Sequence, residues 1–591
     1  MKNRKRLLAL ALVGVMSLGM LLSGCNNNAT QSPSPSATTP VGTGEPAGAF
    51  DMTVCIASEP QTIDPALNSS VDGAVMTQHF FEGLMKWADG GKAVNEKGNM
   101  NYAELVYGQI ESMEKADNGD GTVTYTFKIR PDAKWSDGKP VTAGDFVYSW
   151  QRLANPLTTA DYCYMIDMVQ GYDVVQAGTP TGEMMTVVDE ETGEESEVEV
   201  YEYDPTQLGV SAPDDSTFVV NLTYDCPYFL EICAFPAAFP VRQDIVDAAP
   251  DTWTTDSVAS YVSNGPWKMA EWVHDSYIKM VPNEYHYDVA NLGPTSLTFQ
   301  LMEDQNSMLA AYRSGDLQFI EDMPVDEIST LIANGELNIV DYVGTYYVCY
   351  QTQQAPFDDW QVRKAFTLAI DSKYIVEQIT QTGQLPATGF VPAGVADADA
   401  AGDDFRTVGG DYWTAPEDDA TYQANCEEAR QLLADAGYGE GGKDFPVVTY
   451  LYNTSDAHKA VGEALQQMWQ EELGVTVQLQ NQEWNAFLET RKQGDYQIAR
   501  NGWIADYNDP ISFLDMWVTG GGNNDAQYSN PEYDAAIAEA KSTSDAAARM
   551  TALHKAEDII MGQDWALGPI YFYTNKYMMD DSISGAFYTP L

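Results

Sequence analysis

The stretch RNGWIADYNDP, from Arg500 to Pro510, places one acidic side chain where a carboxylate is costly. Asp506 follows a Trp, an Ile and an Ala on what the pattern indicates is a strand that ends in a turn. A carboxylate that leaves water beside a Trp loses much of its solvation energy unless a cation meets it. We therefore expect Asp506 to meet a cation, which comes either from another residue of the chain or from a ligand.

Two other stretches imitate sites for phosphate and calcium without completing them. GYGEGGKD, from Gly437 to Asp444, is close to a phosphate-binding loop, but Asp444 stands where Ser or Thr is required and the motif follows a helix. ADNGDGTVTY has Ala116 in place of the first calcium-binding acid and Phe127 in place of the last. The second stretch is instead predicted to form a hairpin turn with Asn118 to Gly121 at its tip.

Signatures of the common catalytic and metal centres are missing from the sequence. The five histidines form no H-E-x-x-H pair, which argues against zinc, and the G-x-S-x-G elbow of many hydrolases does not occur. Scattered catalytic groups stay compatible with the sequence. No motif, however, requires an enzyme, a metal or a cofactor.

Alternating strands and helices supply the framework for the acidic stretch. TVTYTFKI alternates with period two, as a half-buried strand does, whereas SDAHKAVGEALQQMWQEEL has helical spacing. Ser455 or Asp456 can cap this helix, and Gly474 ends it before the strand VTVQLQ. Its predicted apolar face consists of Val461, Leu465, Met468 and Leu473. The two elements form an α/β unit.

The length and net charge of the chain restrict the classes of function that it can have. A chain of 591 residues with 44% hydrophobic and 20% charged residues suits a globular protein of roughly three or four domains. The formal net charge of -56 repels phosphate backbones and argues against nucleic-acid binding. An anionic ligand must therefore be held by local cations. The acidic run GTPTGEMMTVVDEETGEESEVEVYEYDP is predicted to be a surface insertion, either a loop or a hairpin.

The N-terminus has the pattern of an export signal. MKNRKRLLALALVGVMSLGMLLSGC combines basic residues, a short apolar run and small residues before Cys25. Residues 1–24 are expected to be a signal peptide, since LSGC resembles the bacterial lipobox, in which the cysteine is acylated. An uncleaved membrane anchor is the alternative. The Ser-, Thr-, Pro- and Gly-rich residues 25–49 are predicted to be a flexible tether.

Seven cysteines are spread thinly along the chain. If Cys25 is lipidated, the other six could pair, but a chain of this length does not need disulfides and no C-x-x-C pair occurs. Cys226 and Cys233 could form a bridge; buried free thiols are the favoured prediction.

Aromatic side chains are abundant, with 13 Trp and 34 Tyr. Runs such as DYVGTYYVCYQ and PIYFYTN suit ordinary strands, because Tyr favours half-buried pleated surfaces. A ligand cleft uses the same residues, since they combine apolar area with a hydrogen-bonding tip. For any single Tyr the core is the favoured place.

From about Ala57 to the C-terminus the chain resembles the extracytoplasmic oligopeptide-binding proteins of ABC importers, within the peptide and nickel solute-binding group. The resemblance rests on ordered blocks, of which ADYNDP is the most specific. The blocks are EPQTIDPALNSSVDG, FEGLMKW, KWSDGKPVTAGDFVYSWQR, NGPWK, PFDDWQVRKAFTLAID, LYNTSDAHK and NQEWNAFLETRKQGDYQIARNGWIADYNDPISFLD.

The resemblance implies an α/β fold of two lobes, as in periplasmic binding proteins, with a ligand cleft between the lobes and an extra third domain. Lobe I is expected at residues 50–81, 243–343 and 575–591, the extra domain II at 82–242 and lobe III at 344–574. Two crossings of the chain between the lobes, near Val343 and Thr574, would act as the hinge.

The resemblance also implies how a peptide is held. Asp506 matches the acid that receives the α-ammonium group of the peptide; the alternative is a structural Asp that caps the turn before Pro510, although Asp509 suits that role better. Backbone groups near Ser70, Val71, Gly502 and Ile504 are expected to pair with the extended peptide as an added strand.

The same family resemblance implies which side chains surround the peptide. Trp484 and Trp503 are expected to form walls of roomy pockets, to which polar-tipped surface is added by Tyr162, Tyr342, Tyr347 and Tyr573. Arg500 and His458 match positions that hold the carboxylate of short peptides. For Arg500 the alternative is a structural salt bridge, for His458 a surface role. Arg491 is expected nearby, where bracing the lobe is its favoured role.

The resemblance implies a lipid-anchored, monomeric receptor outside the cytoplasm that closes over short peptides and delivers them to an ABC permease, without cofactors, nucleic acid or covalent chemistry. A dipeptide, glycan or signalling-peptide receptor on the same scaffold is the close alternative. A secreted hydrolase of peptides or glycans that uses paired carboxylates is the alternative from another class.

Overall fold

The structure is a computed structural model that describes residues 50–94, 98–188, 195–250, 252–255, 258, 260–398, 403–439 and 441–591. The predicted signal peptide 1–24, the lipidation site Cys25 and the tether 25–49 lie outside the described residues.

The strands of the described residues are β1 Phe50–Ile56, β2 Met85–Ala93, β3 Met100–Tyr107, β4 Ile110–Asp117, β5 Val123–Ile129, β6 Thr179–Val188, β7 Glu195–Glu202, β8 Val210–Asp214, β9 Thr217–Leu222, β10 Trp267–Val273, β11 Tyr277–Pro282, β12 Pro294–Leu301, β13 Phe319–Ile320, β14 Asn338–Tyr350, β15 Leu385–Pro386, β16 Val448–Asn453, β17 Val477–Gln482, β18 Ile498–Ile504, β19 Leu567–Met579 and β20 Ala586–Tyr588.

The α-helices of the same residues are α1 Val71–Phe80, α2 Ala143–Ala154, α3 Tyr172–Ala177, α4 Phe229–Ile232, α5 Gln243–Val246, α6 Gln305–Ser314, α7 Val325–Asn334, α8 Trp360–Leu368, α9 Ser372–Tyr374, α10 Phe405–Gly409, α11 Asp419–Asp435, α12 Asp456–Leu473, α13 Trp484–Gln493, α14 Ile511–Leu514, α15 Pro531–Ser542 and α16 Ala546–Glu557.

One large sheet runs through both lobes of this α/β fold. Its strand order is β10-β11-β12-β1-β13-β19-β14-β18-β16-β17, and β15 is added against β19. In lobe I, β1 is parallel to β12, and β13 is antiparallel to β19. In lobe III, β18 lies between β14, to which it is antiparallel, and β16, to which it is parallel. The long strands β14 and β19 therefore belong to both lobes.

The ladder between β14 and β19 is interrupted in its middle. Residues 338–341 pair with 574–577, whereas 345–349 pair with 567–572, and the register shifts between Asp341 and Thr345. A shift of this kind bends the strands locally. The crossings predicted near Val343 and Thr574 coincide with the interruption. The domain bounds themselves stay a prediction.

Domain II is built on the four-stranded sheet β4-β5-β9-β8 with α2 packed against it. Its core contains Trp150, whose ring meets Phe218 edge to face at 5.4 Å. Arg152 at the end of α2 donates to both carboxylate oxygens of Asp64 in lobe I, at 2.9 and 2.6 Å. The C-terminal strand β20 also pairs with β3. Domain II and lobe I are thus fastened together on one side of the molecule.

Several local predictions are confirmed. Helix α12 begins after Ser455, whose side chain accepts a hydrogen bond from the His458 N–H, and ends at Gly474, where φ is 68°. Strands β4 and β5 form the hairpin predicted around Asn118 to Gly121. The acidic insertion forms the hairpin β6-β7, so its hairpin alternative is the one observed.

The six cysteines of the described residues are free thiols, as predicted; Cys226, Cys233, Cys349 and Cys426 are buried, whereas Cys55 and Cys163 are half-buried. None of the helices within the described ranges has the length and apolarity needed to cross a bilayer.

Candidate ligand-binding cleft

A cavity of about 550 Å³ lies between lobe III on one side and lobe I with domain II on the other. Most of the predicted site residues line it: Ser70, Val71, Tyr162, Tyr342, Trp484, Arg491, Arg500, Gly502, Trp503, Ile504, Asp506 and Tyr573. We call this cavity the cleft. Residues from segments more than 500 positions apart in the sequence thus face one another across it.

Strand β18 forms the floor of the cleft on the lobe III side. It pairs with β14 along its whole length, from Ile498 to Ile504. Among the described strands its other neighbour, β16, pairs only with Ile498 and Ala499. The remaining part, from Arg500 to Ile504, borders the cleft with that edge. An open strand edge inside a cavity is suited to pairing with an extended chain.

Gly502 lies directly against the tip of the Tyr573 side chain. A Cβ atom at this position would collide with the Tyr573 hydroxyl, which approaches the backbone of β18 from β19. The glycine therefore lets the hydroxyl and the strand edge lie together at the cleft floor.

We expect Gly502→Ala to lower the affinity for a ligand paired with β18 by about tenfold, because Tyr573 must move and distort the edge. Calorimetric titration measures the loss. Adding Tyr573→Phe removes the colliding atom, so the double variant is expected to bind more tightly than Gly502→Ala alone. A double variant that binds no better contradicts the steric account.

Asp506 lies just after β18, partly exposed to the cleft. Its carboxylate accepts hydrogen bonds from the Tyr162 hydroxyl at 3.5 Å and from the Ser512 hydroxyl at 3.4 Å. Burial raises the pKa of Asp506 well above its ordinary value, against the lowering effect of these two hydroxyls. Within the part of the chain that the structure describes, no Lys, Arg or His forms an ion pair with it. The expected cation is not supplied by these residues.

Asp509, in the same turn, has the contacts of an acidic residue with a structural role. Its two oxygens accept from Arg549 at 2.7 Å each, and the same carboxylate accepts from the Ile511 N–H at 3.0 Å. The turn-capping role thus falls to Asp509, as expected. The carboxylate of Asp506 is therefore not needed to cap this turn.

Arg500 is a half-buried cation surrounded by aromatic rings. Its guanidinium lies 5.3 Å from the centre of the Tyr346 ring. Burial lowers the pKa of Arg500, but Tyr573, Tyr346 and Tyr571 outweigh this effect and raise it. No carboxylate of the described residues forms an ion pair with Arg500. These residues therefore do not support the alternative prediction, in which Arg500 forms a structural salt bridge.

Arg491 differs from Arg500 because its charge is already compensated. Its Nε lies 2.7 Å from Asp525 Oδ2, and its Nη1 donates to Asn501 Oδ1 at 2.8 Å. Asn501 belongs to β18, so the pair braces the cleft floor from within lobe III. This is the favoured role of Arg491.

Two of the predicted site residues do not line the cleft. Tyr347 is fully buried and meets Phe390 and Trp517 edge to face. Neighbouring residues of a strand point to opposite faces, and it is Tyr346 that faces Arg500. Tyr347 is therefore corrected to the core of lobe III.

His458 lies behind Tyr346, whose hydroxyl is 3.2 Å from His458 Nδ1. Burial and the neighbouring charge of Arg500 lower the pKa of His458 well below its ordinary value. The imidazole is therefore neutral. His458 is corrected to a second layer that supports Tyr346, not to contact with a ligand.

Aromatic rings form the walls of the cleft. Trp503 lies 6.2 Å from Tyr162, which belongs to domain II, and Trp484 stacks on Phe487 at 5.9 Å. The indole N–H groups of Trp484 and Trp503 have no acceptor among the described residues.

Some residues in or beside the cleft have no signal in the sequence. Tyr346 is fully buried and lies beside Arg500 without lining the cleft, and the sequence does not distinguish it from the adjacent tyrosine in GTYYVCY. The acids Asp161, Glu231 and Glu489 also line the cleft, but each is one of 87 Asp and Glu residues and stands in no motif.

The cleft contains one basic and one acidic side chain that are each half-buried, Arg500 and Asp506. Arg500 and Asp506 are six positions apart on a stretch that is mostly extended, which separates them by at most about 20 Å at ~3.3 Å per residue. Neither has an ion-pair partner among the described residues. The cleft therefore suits a guest with an ammonium group at one end and a carboxylate at the other.

The two lobes, the strands β14 and β19 that they share and the cleft between them define the class of bilobed solute-binding proteins. The chain belongs to the bacterial extracellular solute-binding proteins of family 5, whose middle region it matches over residues 107–525.

Curated relatives cover nearly the whole chain. The chain is 34% identical to the periplasmic oligopeptide-binding protein OppA of Salmonella typhimurium, over 89% of this chain and 88% of that protein. It is 33% identical to the dipeptide-binding protein DppE of Bacillus subtilis, over 79% of each.

Solved structures agree with the fold. Haemophilus influenzae OppA in complex with the peptide RPPGFSPFR has a TM-score of 0.76 at 30% identity and covers 90% of this chain and 94% of that one. The murein tripeptide-binding protein MppA of Escherichia coli has a TM-score of 0.77 at 28% identity, with coverage of 92% and 98%. The unliganded open form of MppA has a TM-score of 0.56 at 29% identity and covers 92% of this chain and 96% of that one. The lobes are thus arranged here unlike those of that open form.

Proposed function

We propose that this protein captures short peptides in the cleft and delivers them to an ABC permease. The observation that carries the proposal is the acidic Asp506 and the basic Arg500, both half-buried and without an ion-pair partner among the described residues, beside an open edge of β18. A peptide supplies the matching ammonium, carboxylate and backbone groups. The relatives named for oligopeptide and dipeptide binding support the same ligand class.

In this proposal each group of the cleft has a part. Asp506 receives the α-ammonium group in a charge-assisted hydrogen bond that requires a free N-terminus. The edge of β18 pairs with the main chain of the peptide and ignores its side chains. Trp484, Trp503, Tyr162 and Tyr342 surround the side chains without charges of their own. Specificity for the peptide backbone is therefore combined with tolerance of side chains.

The proposal extends to location and partners. We infer that Cys25 is acylated and that residues 25–49 tether the domains outside the cytoplasm. The protein acts as a monomer, without cofactor or nucleic acid, and carries out no covalent chemistry. Closure of the lobes is a shift of population, because the peptide touches both lobes only when they are closed.

An incubation with a defined peptide mixture tests binding against hydrolysis. The purified protein is expected to retain peptides, which are recovered uncut by mass spectrometry after denaturation. Recovery of fragments supports a hydrolase instead, and failure to retain any peptide contradicts peptide capture.

Arg500 is expected to make short peptides sensitive to C-terminal amidation. Amidation removes the carboxylate and is expected to weaken binding of a short peptide to the native protein roughly tenfold. The Arg500→Met variant is expected to bind the acid and the amide equally. Calorimetry of both peptides with both proteins measures this difference, and an equal loss on amidation in the two proteins contradicts the role of Arg500.

A further inference from the structure

Domain II and lobe III also contact each other directly, in part through residues that do not line the cleft. Tyr228 of domain II stacks on Tyr507 of lobe III, with ring centres 4.4 Å apart and planes 2° from parallel. The Asn508 N–H donates to Glu231 at 3.0 Å, and Asn523 donates to the Tyr164 hydroxyl at 3.2 Å. These contacts join the two sides of the cleft, because domain II is fastened to lobe I by Arg152.

A buried lysine occupies this boundary. Lys541 on α15 of lobe III contacts Asp515 of the same lobe and reaches Asp167 of domain II. Only 16% of the Lys541 side chain is exposed, with 19% for Asp167 and 5% for Asp515. An ion pair in such a setting is screened much less than one in water.

A second ion pair across the boundary, among the described residues, is of a different kind. Lys492 lies 2.7 Å from Asp161, but 51% of its side chain is exposed and both residues line the cleft. Exposed pairs contribute little, and a change here would also alter the ligand site. None of Lys541, Asp167 and Asp515 lines the cleft.

We propose that Lys541 is a latch between domain II and lobe III, which sets the closing equilibrium and hence the affinity for every peptide without touching the ligand. The proposal rests on the peptide-binding function proposed above. With Lys541 in place, its charge holds two carboxylates from opposite sides of the boundary together. Without it, Asp167 and Asp515 face each other as like charges and favour opening.

A latch that acts only on closure changes affinity in a recognisable way. The apparent dissociation constant depends on the fraction of closed protein, so every peptide loses the same factor, mostly through faster dissociation. A residue that contacts the ligand changes the preference among peptides instead.

Asp167→Asn tests the latch with the least disturbance, since Lys541 keeps Asp515. We expect a loss of affinity of about tenfold that is equal for tri-alanine, Ala-Phe-Ala-Ala and RPPGFSPFR. Lys541→Met is expected to lose more than Asp167→Asn. Asp167→Asn combined with Lys541→Met is expected to recover part of that loss, and Lys541→Arg to stay close to the native protein. Asp173→Asn, an exposed aspartate of domain II, is the matched control.

Small-angle scattering of the unliganded proteins supplies a readout independent of peptides. Asp167→Asn and Lys541→Met are expected to have a larger radius of gyration than the native protein and Asp173→Asn, at nearly unchanged melting temperature. Unchanged affinities and radii, or a loss confined to one peptide, overturn the latch. If the native protein binds none of the three peptides, the proposed function fails, while the scattering comparison still tests the latch.

Discussion

Asp506→Asn is expected to weaken peptide binding roughly a hundredfold. The substitution keeps the shape of the side chain and one oxygen that can accept from Tyr162 or Ser512, but it removes the charge that the α-ammonium group meets in the cleft. Loss of one partner from a buried, hydrogen-bonded charge pair costs several kcal/mol, about 2–5, because the other charge is left buried alone. Calorimetric titration with a peptide of four residues measures the change.

Asp495→Asn is the matched control for this prediction. Asp495 is exposed and lies shortly before β18 in the same lobe, so its loss changes the net charge equally without touching the cleft. Its affinity is expected to equal that of the native protein. A similar loss in both variants would show that overall charge, not the cleft, governs binding, and an unchanged affinity of Asp506→Asn would remove the assigned role of this carboxylate.

The raised pKa of Asp506 has a consequence for the same titration. Burial favours the neutral acid in the empty cleft, whereas an ammonium group favours the carboxylate. Peptide binding is therefore expected to release a proton and to weaken as the pH falls through the pKa of the empty protein. Titrations in buffers of different ionisation enthalpy detect this proton.

Arg549→Leu is expected to lower the free energy of unfolding by about 3–5 kcal/mol, since it leaves Asp509 buried without its partner. The two side chains are only 5% and 8% exposed. Their bidentate pair fixes the turn from Asp506 to Ser512, and the Arg549 guanidinium also lies 5.4 Å from the ring of Tyr228 in domain II. Guanidinium denaturation followed by fluorescence measures the loss.

Arg430→Gln is the control for the stability prediction. It breaks an ion pair with Glu472 in which 46% of the arginine side chain is exposed, so the expected loss is below about 1 kcal/mol. Equal losses in the two variants would contradict the view that burial makes the pair of Asp509 and Arg549 important.

Local signals in the sequence predicted the elements near the site well. Ser455, the apolar spacing of α12 and Gly474 each act within a few residues, so they specify the helix whatever the rest of the chain does. The strand before Asp506 and the turn after it follow from the same kind of signal. The family, the lobes and most cleft residues required the resemblance, because these residues are brought together from distant segments.

The site predictions that were wrong or missing also have physical causes. Tyr346 and Tyr347 have the same type and adjacent positions, and only the register of β14 against β18 decides which of them faces Arg500. The family resemblance at His458 contains no information on Tyr346, whose hydroxyl lies next to the His458 imidazole. The contact of Asp167 with Lys541 joins residues separated by 374 positions in sequence and carries no local pattern.

The central claim is that the cleft holds its guest by a free N-terminus at Asp506. Calorimetry of tetra-alanine and of N-acetyl-tetra-alanine with the native protein tests it most directly. The account predicts that acetylation, which removes the positive charge and leaves the rest of the peptide intact, weakens binding at least about tenfold. Equal affinity for the two peptides would contradict it.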